Sequence, residues 1–251
     1  MSATAYVEAL AIPADARVGH RVPKKVLLEQ GAPTAADKRH IQAGIEELLW
    51  VAALKPSNVG VPAYRDAARE YLEIAVLTVT LRPEAKAPRL VELIHRAIPY
   101  PLILVATQAG MTAFTLAHKR FSQADRSQVV VDGVVLNGSV SSIPTSEEAS
   151  FLASLAIAHQ PARDLLTVYQ GWLDRVAALE AARITGVFAL DDSSAHAAQR
   201  RTALDEYARL QREAAALRAQ AVVEKHISRR VDINLELKRL DAVLAELLRT
   251  L

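Results

Sequence analysis

The feature that most limits how this 251-residue chain can fold is a change of vocabulary a little past its middle. Up to about Ser139, runs of Val, Ile, Leu and Thr alternate with short amphipathic stretches. Beyond Pro144 those runs vanish and Ala, Leu, Glu and Arg dominate. A sequence of the second kind folds as helices, because alanine and straight-chain side chains lose little rotamer freedom there. Gly138-Ser139-Val140-Ser141-Ser142 lies at the change and is the expected boundary. The expected fold class is therefore α/β (α+β): a mixed β-sheet domain with flanking helices over residues 1–140, then an all-helical domain over 141–251.

In the first part, Ile41, Ile45, Leu48, Leu49 and Ala52 recur at spacings of three and four with charges between them. That period predicts one amphipathic helix from Ala35 to Leu54, capped by Thr34 or Asp37 and ended by Lys55-Pro56-Ser57-Asn58. The period then changes. Leu72 to Leu81 is β-branched and apolar on both alternating faces, as in a strand covered on both sides, and Pro83 stops it. Leu90, Val91, Leu93 and Ile94 give a short helix between Pro88 and Pro99, and Pro101 to Thr107 reads as a second buried strand. Strand, crossover helix and strand together predict a parallel pair. Gln108-Ala109-Gly110 turns the chain into Met111 to Arg120, and Asp132-Gly133 between two valine runs predicts a hairpin.

In the second part, helices are expected over Ser146 to His159 and Ala162 to Ile184, with Asp191-Asp192-Ser193-Ser194 as loop and cap. Ala203, Tyr207, Leu210, Ala214, Leu217 and Ala221 then alternate by four and three, and Ile233, Leu237, Leu240, Leu244, Leu247 and Leu251 do so in another phase. The register breaks between Val223 and Asp232, which predicts two helices, the last capped by Asp232 or Asn234. A helical hairpin or a coiled-coil arm satisfies the pattern. The apolar seam needs a partner helix from the same chain, from a second copy in a homo-oligomer, or from another protein. Trp50 and Trp172 fall on apolar helix stripes and read as core.

Composition removes several functions. With 30 Lys and Arg against 28 Asp and Glu, the net charge of +2 gives no bulk attraction to nucleic acid or membrane, so any such binding rests on a local patch. The chain has no cysteine, which excludes disulfides, thiolate metal sites and cysteine nucleophiles. No secretory signal pattern and no apolar run of membrane-spanning length is present, so a cytoplasmic protein with no membrane partner is expected. Phosphate-binding glycine loops and a Gly-x-Ser-x-Gly elbow are missing, and His20, His40, His95, His118, His159, His196 and His226 are scattered without metal-ligand spacing. No catalytic residue, metal ligand or cofactor is assigned.

Three basic groups are candidates for binding nucleic acid or a protein partner. His118-Lys119-Arg120 closes an apolar strand, whose alternation puts His118 and Arg120 on one face and Lys119 on the other. Such a cluster suits phosphates, but a strand emerging into solvent also ends in charge. Lys24 and Lys25, with Arg17 and Arg21 nearby, are the most basic stretch of the first thirty residues. Arg229 and Arg230 sit at the register break, either exposed or paired with Glu224 and Glu236.

Four runs together carry a family resemblance: Val22-Pro23-Lys24-Lys25, Ala97-Ile98-Pro99-Tyr100-Pro101, Ala117-His118-Lys119-Arg120, and Glu224-Lys225 through Arg229-Arg230-Val231-Asp232-Ile233-Asn234. In order and spacing they resemble the bacterial and archaeal domain-of-unknown-function family 4391. The resemblance implies a restriction-type antiphage context, beside helicases and DNA methyltransferases, and carries over no active site. The expected function is a non-catalytic accessory subunit of such a defence or restriction-modification complex, docking through its helical half to a DNA-acting helicase or methyltransferase. A nucleic-acid-binding module presenting Lys24, Lys25, His118, Lys119 and Arg120 on one surface is the alternative. A metal-dependent nuclease finds little support: Glu84-Ala85-Lys86 has the letters of such a site but lies between strand and helix.

Overall fold

Ser2 opens the first helix, α1 (Ala3–Ala9), by accepting a hydrogen bond from the Ala5 N–H at 3.2 Å. In the computed structural model, which describes residues 1–190 and 193–251, a short 3-10 turn leads from it into β1 (Arg17–Arg21), followed by α2 (Lys24–Gln30) and α3 (Ala35–Gly44). Thr34 caps α3, its hydroxyl accepting from the Asp37 N–H at 3.1 Å. The helix stops at Gly44, and Ile45–Leu54 is a strand, β2, where the apolar spacing predicts continued helix. The run Leu48 to Leu54 is apolar throughout and fits either state. Pairing decides it, because β2 lies between β1 and β5 (Ile74–Leu81), antiparallel to both. Gly44 makes the abrupt junction possible: a Cβ there would sit 2.7 Å from Leu90 Cδ1. Trp50 is accordingly a strand residue, half-buried, its indole edge-on to Tyr100.

Between β2 and β5 the chain makes α4 (Pro56–Val59) and a small ribbon of β3 (Tyr64–Arg65) and β4 (Glu70–Tyr71). Helix α5 (Ala87–Ala97) then crosses to β6 (Leu102–Gln108), which pairs parallel with β5 as the strand-helix-strand pattern predicts. The strands β7 (Met111–Phe121) and β8 (Val129–Asn137) complete a six-stranded mixed sheet in the order β1-β2-β5-β6-β7-β8.

Asp132-Gly133 is not a hairpin turn. Val129 to Asn137 is one strand antiparallel to β7, and the chain reverses before it, over residues 122–128. Gly133, at φ 83°, serves an irregularity in β8: Leu116 faces Leu136 but His118 faces Asp132, leaving extra residues on the β8 side. A glycine that takes positive φ suits a bulge as well as a turn, and pairing with β7 selects the bulge.

Two compact units are present, residues 1–176 and 177–251. In the first, Leu27, Ile41, Ile45, Leu77, Leu90 and Leu104 belong to one buried cluster under α2, α3 and α5. On the other sheet face Tyr6 of α1 stacks on Phe114 at 5.4 Å, and Phe151 of α6 (Ser146–Ser154) meets the same ring edge-on. Thr145 and Glu148 cap α6 reciprocally, through bonds of 3.3 and 3.1 Å. Helix α7 (Leu165–Thr185) adds fully buried Tyr169 and Trp172.

In the second unit α8 (Ser194–Val223) and α9 (Ile227–Leu247) fold back on each other. Leu210 and Ala214 of α8 and Leu237, Leu240 and Leu244 of α9 form their core, and Arg218 meets Asp241 at 2.8 Å. Both heptad series thus close within the chain. Asp232 and Asn234 are interior to α9, whose N-cap is His226, because the three-residue link absorbs the phase change and Ile227 to Val231 contains no helix breaker. Of the loop expected at 191–194, Asp191 and Asp192 lie outside the described residues, and α8 opens after Ser193. Among the described residues no helix is long and apolar enough to cross a membrane.

Candidate functional site

β7 carries His118, Lys119 and Arg120 at the end of an alternating strand, so its two faces give them different surroundings. Lys119 points toward α5 and is only 2% exposed. Its Nζ donates to the carbonyl oxygens of His95 and, at 2.9 Å, of Ile98. These belong to the last turn and C-cap of α5, where carbonyls have no partner within the helix and the dipole favours a cation. Burial pushes the Lys119 ammonium down to about 7.

Beside it His95 is fully buried. Thr115 Oγ1 donates to the Leu104 carbonyl at 3.1 Å, so the imidazole Nε2, 3.1 Å from the same oxygen, is the protonated nitrogen. Nδ1 is left buried with no partner among the described residues. Burial, with the Lys119 charge adding to it, pushes His95 down to about 3.

On the opposite face His118 sits between two helpers. Tyr71, fully buried at the end of β4, places its hydroxyl 2.5 Å from His118 Nδ1, and Gln170 Oε1 of α7 lies 2.8 Å from Nε2. Gln170 Nε2 in turn donates to Asp174 at 2.8 Å. The contacts form one chain, from the Tyr71 hydroxyl through the imidazole and the Gln170 amide to the Asp174 carboxylate. Burial raises the Tyr71 phenol above its usual range. Tyr169 closes the end of the β6–β7 ladder, its hydroxyl donating to the Leu102 carbonyl at 2.7 Å and accepting from the Ala117 N–H at 3.0 Å. At the rim Asp132 is held by Arg120 at 3.3 Å and by Arg69 at 3.0 Å.

Both imidazole nitrogens of His118 are engaged, and its phenol partner is buried. This arrangement ties the β3–β4 ribbon and α7 to the end of β7. Tyr169→Phe is expected to cost about 1–3 kcal/mol, since the buried Ala117 N–H loses its acceptor; chemical denaturation of the two proteins checks it.

The sequence candidates do not converge on one surface. Lys119 is withdrawn from it altogether, because alternation turns it inward to α5. Arg120 is spent partly on Asp132. Lys24 opens α2, donates to the Gln42 carbonyl at 3.1 Å, and is pushed down by partial burial and by Arg82 and Arg21. Lys25 is exposed and pairs with Glu29 at 3.6 Å. Arg229 and Arg230 are exposed on the first turns of α9, whereas Glu236 pairs with Arg239 and the Glu224 carboxylate accepts from the His226 N–H. Glu84 and Lys86 lie before α5, off any strand, and among the described residues no group of three or more His, Asp or Glu is placed to hold a metal ion. His95, Thr115, Tyr71, Gln170 and Asp132 escaped sequence reasoning, although an inward-facing lysine on a covered strand already implies buried acceptors behind it.

A cluster of exposed apolar side chains lies elsewhere. Around the link between α8 and α9, Val222, Val223 and Ile227 are 85%, 74% and 72% exposed, and Val231 and Leu235, one and two turns further along α9, are 51% and 52% exposed. Lys225, Arg229 and Arg230 flank them. A family model described as "Domain of unknown function (DUF4391)" matches residues 10–244. Comparison with curated proteins and with solved structures returns no significant match.

Proposed function

This chain belongs to the DUF4391 family, and we propose that it is a non-catalytic accessory subunit of a bacterial antiphage or restriction-modification complex, docking to a DNA-acting helicase or methyltransferase in the cytoplasm. The observation that carries the docking is the exposed apolar end of the α8–α9 hairpin. Its seam is filled from within the chain, yet Val222, Val223, Ile227, Val231 and Leu235 remain open to solvent. Contiguous exposed apolar side chains at one end of a helix pair are what a partner's groove takes, with i, i+4, i+8 anchors on α9. The flanking Lys225, Arg229 and Arg230 suit an acidic rim on that groove. The class of partner comes from the restriction-type context that the family resemblance implies.

Co-expression with the products of neighbouring genes, followed by the mass of the purified complex, tests the proposal. The wild-type chain is expected to co-purify with one of them. Val231→Glu combined with Leu235→Glu is expected to weaken that complex by about tenfold or more, with no change in melting temperature because both side chains are already exposed. A chain that forms no complex with any neighbour, or whose complex ignores the double substitution, overturns the proposal.

A further inference from the structure

We propose that the first unit binds a small, uncharged, largely apolar molecule in a cleft between the start of α5 and the ends of β6, β7 and β8. The cleft has a volume of about 940 Å³, which is room for a small organic ligand. Its floor is the domain's own core come to the surface. Leu81, Val91 and Ala106 belong to the buried cluster under α5, and Ala87, Ala113 and Val135, which also line the cleft, pack against that cluster. Ala106 and Ala113 face each other across β6 and β7, and their short side chains leave the space beneath Ala87 and Pro88 unfilled.

Charge decides the class of ligand. No charged side chain and no histidine lines the cleft, although 23% of the chain is charged. An ion entering it would give up its hydration and meet no counter-charge, whereas an apolar molecule gains by leaving water for such walls.

The polar side chains at the cleft are neutral, and two of them keep hydrogen-bonding capacity in hand. Gln108 Nε2 donates to the carbonyls of Arg82, Pro83 and Ala85, at 3.0, 3.1 and 2.7 Å, which leaves Oε1 as an acceptor with no partner among the described residues. Asn137 Oδ1 accepts from the N–H and hydroxyl of Ser139, which leaves Nδ2 as a donor with no partner among the described residues. Gln108 lies opposite Met111 and Asn137 opposite Thr115, so the two amides stand about 13 Å apart along β7, four residues at the rise of a strand. The ligand is therefore elongated and apolar along its length, with a hydrogen-bond donor at the Gln108 end and an acceptor at the Asn137 end. All of these residues lie in the first unit and none in the hairpin, so the inference does not rest on the docking proposal.

Two dyes that brighten on leaving water test this on the full chain. N-phenyl-1-naphthylamine is uncharged, and 1-anilinonaphthalene-8-sulfonate is the same ring system carrying a sulfonate. Fluorescence titration is expected to show saturable binding of one uncharged dye per chain, with the sulfonate weaker by about tenfold or more. Ala113→Phe fills the floor with a side chain that strands accept, and Val135→Glu puts a charge on the half-exposed wall. Each is expected to weaken the uncharged dye by about tenfold or more, with circular dichroism confirming that the variant folds. Val231→Glu with Leu235→Glu is expected to bind it as the wild type does. The absence of saturable binding overturns the proposal, as does equal affinity for the two dyes or binding that survives both cleft substitutions. Loss of binding in the hairpin variant overturns it as well, by placing the dye at the α8–α9 end.

Discussion

Lys119→Ala is expected to destabilise the first unit by about 3–5 kcal/mol, enough to leave a marginal domain largely unfolded. Two costs combine. The carbonyls of His95 and Ile98 lose their donor at the buried end of α5, and each such group left unpaired costs on the order of 1–3 kcal/mol. Removing the aliphatic stem also opens a cavity between β7 and α5, and a core pays for lost volume. Lys119→Met separates these terms, because it fills the stem volume and removes the ion while leaving the carbonyls bare. It is expected to lose about half as much, since the desolvation of a buried ammonium disappears with it. Urea denaturation of the three proteins at neutral pH measures both differences. A Lys119→Ala midpoint equal to that of the wild type would refute the structural role of this side chain. The result also governs how DNA-binding tests are designed: loss of binding in Lys119→Ala reports damage to α5, whereas Arg120→Ala touches only the rim pair with Asp132.

The same lysine shows where sequence reasoning stops. Strand alternation assigns Lys119 to the face opposite His118 and Arg120, and that assignment holds. What waits behind each face comes from residues far along the chain: Tyr71 lies 47 positions before His118 and Gln170 lies 52 after it. No local period encodes such a meeting. The parallel pair β5–β6 was legible because prolines mark its ends and both strands are covered on both faces. β2 differs from the expected helix because an apolar spacing of three and four is indistinguishable, over so short a run, from a strand apolar on both sides. Asp132-Gly133 carried the chemistry of positive φ, which a turn and a bulge share. α9 starts earlier than the expected cap at Asp232 or Asn234 because a change of heptad phase locates a break only to within the residues separating the two series.

Acidification is expected to destabilise this protein through His95 well before its carboxylates titrate. The folded state holds His95 at about 3, against 6.5 for an ordinary histidine. Between those values the unfolded chain binds a proton that the folded one refuses, so stability rises with pH. His95 therefore costs nothing above 6.5, and its penalty grows as the pH falls toward 3, reaching about 3 kcal/mol near pH 4. Lys119, lowered from 10.5 to about 7, acts with the same sign in its own, more alkaline window. Carboxylates enter later: Asp37, held by Arg89 at 2.8 Å and lowered from 3.8 to about 2, contributes stability above 3.8 that is lost only as the pH approaches 2. His95→Leu isolates the histidine. The buried Nδ1 has no partner to lose, Thr115 keeps its bond to the Leu104 carbonyl, and the leucine is close in volume, so the variant is expected within about 1 kcal/mol of the wild type at pH 7. Urea midpoints measured from pH 7 down to about 4.5 should then diverge, the wild type falling and His95→Leu staying nearly level. Parallel decline of the two would mean that His95 takes up its proton without cost, by exposure or by a new acceptor at Nδ1, and that the acid response lies with the carboxylates instead.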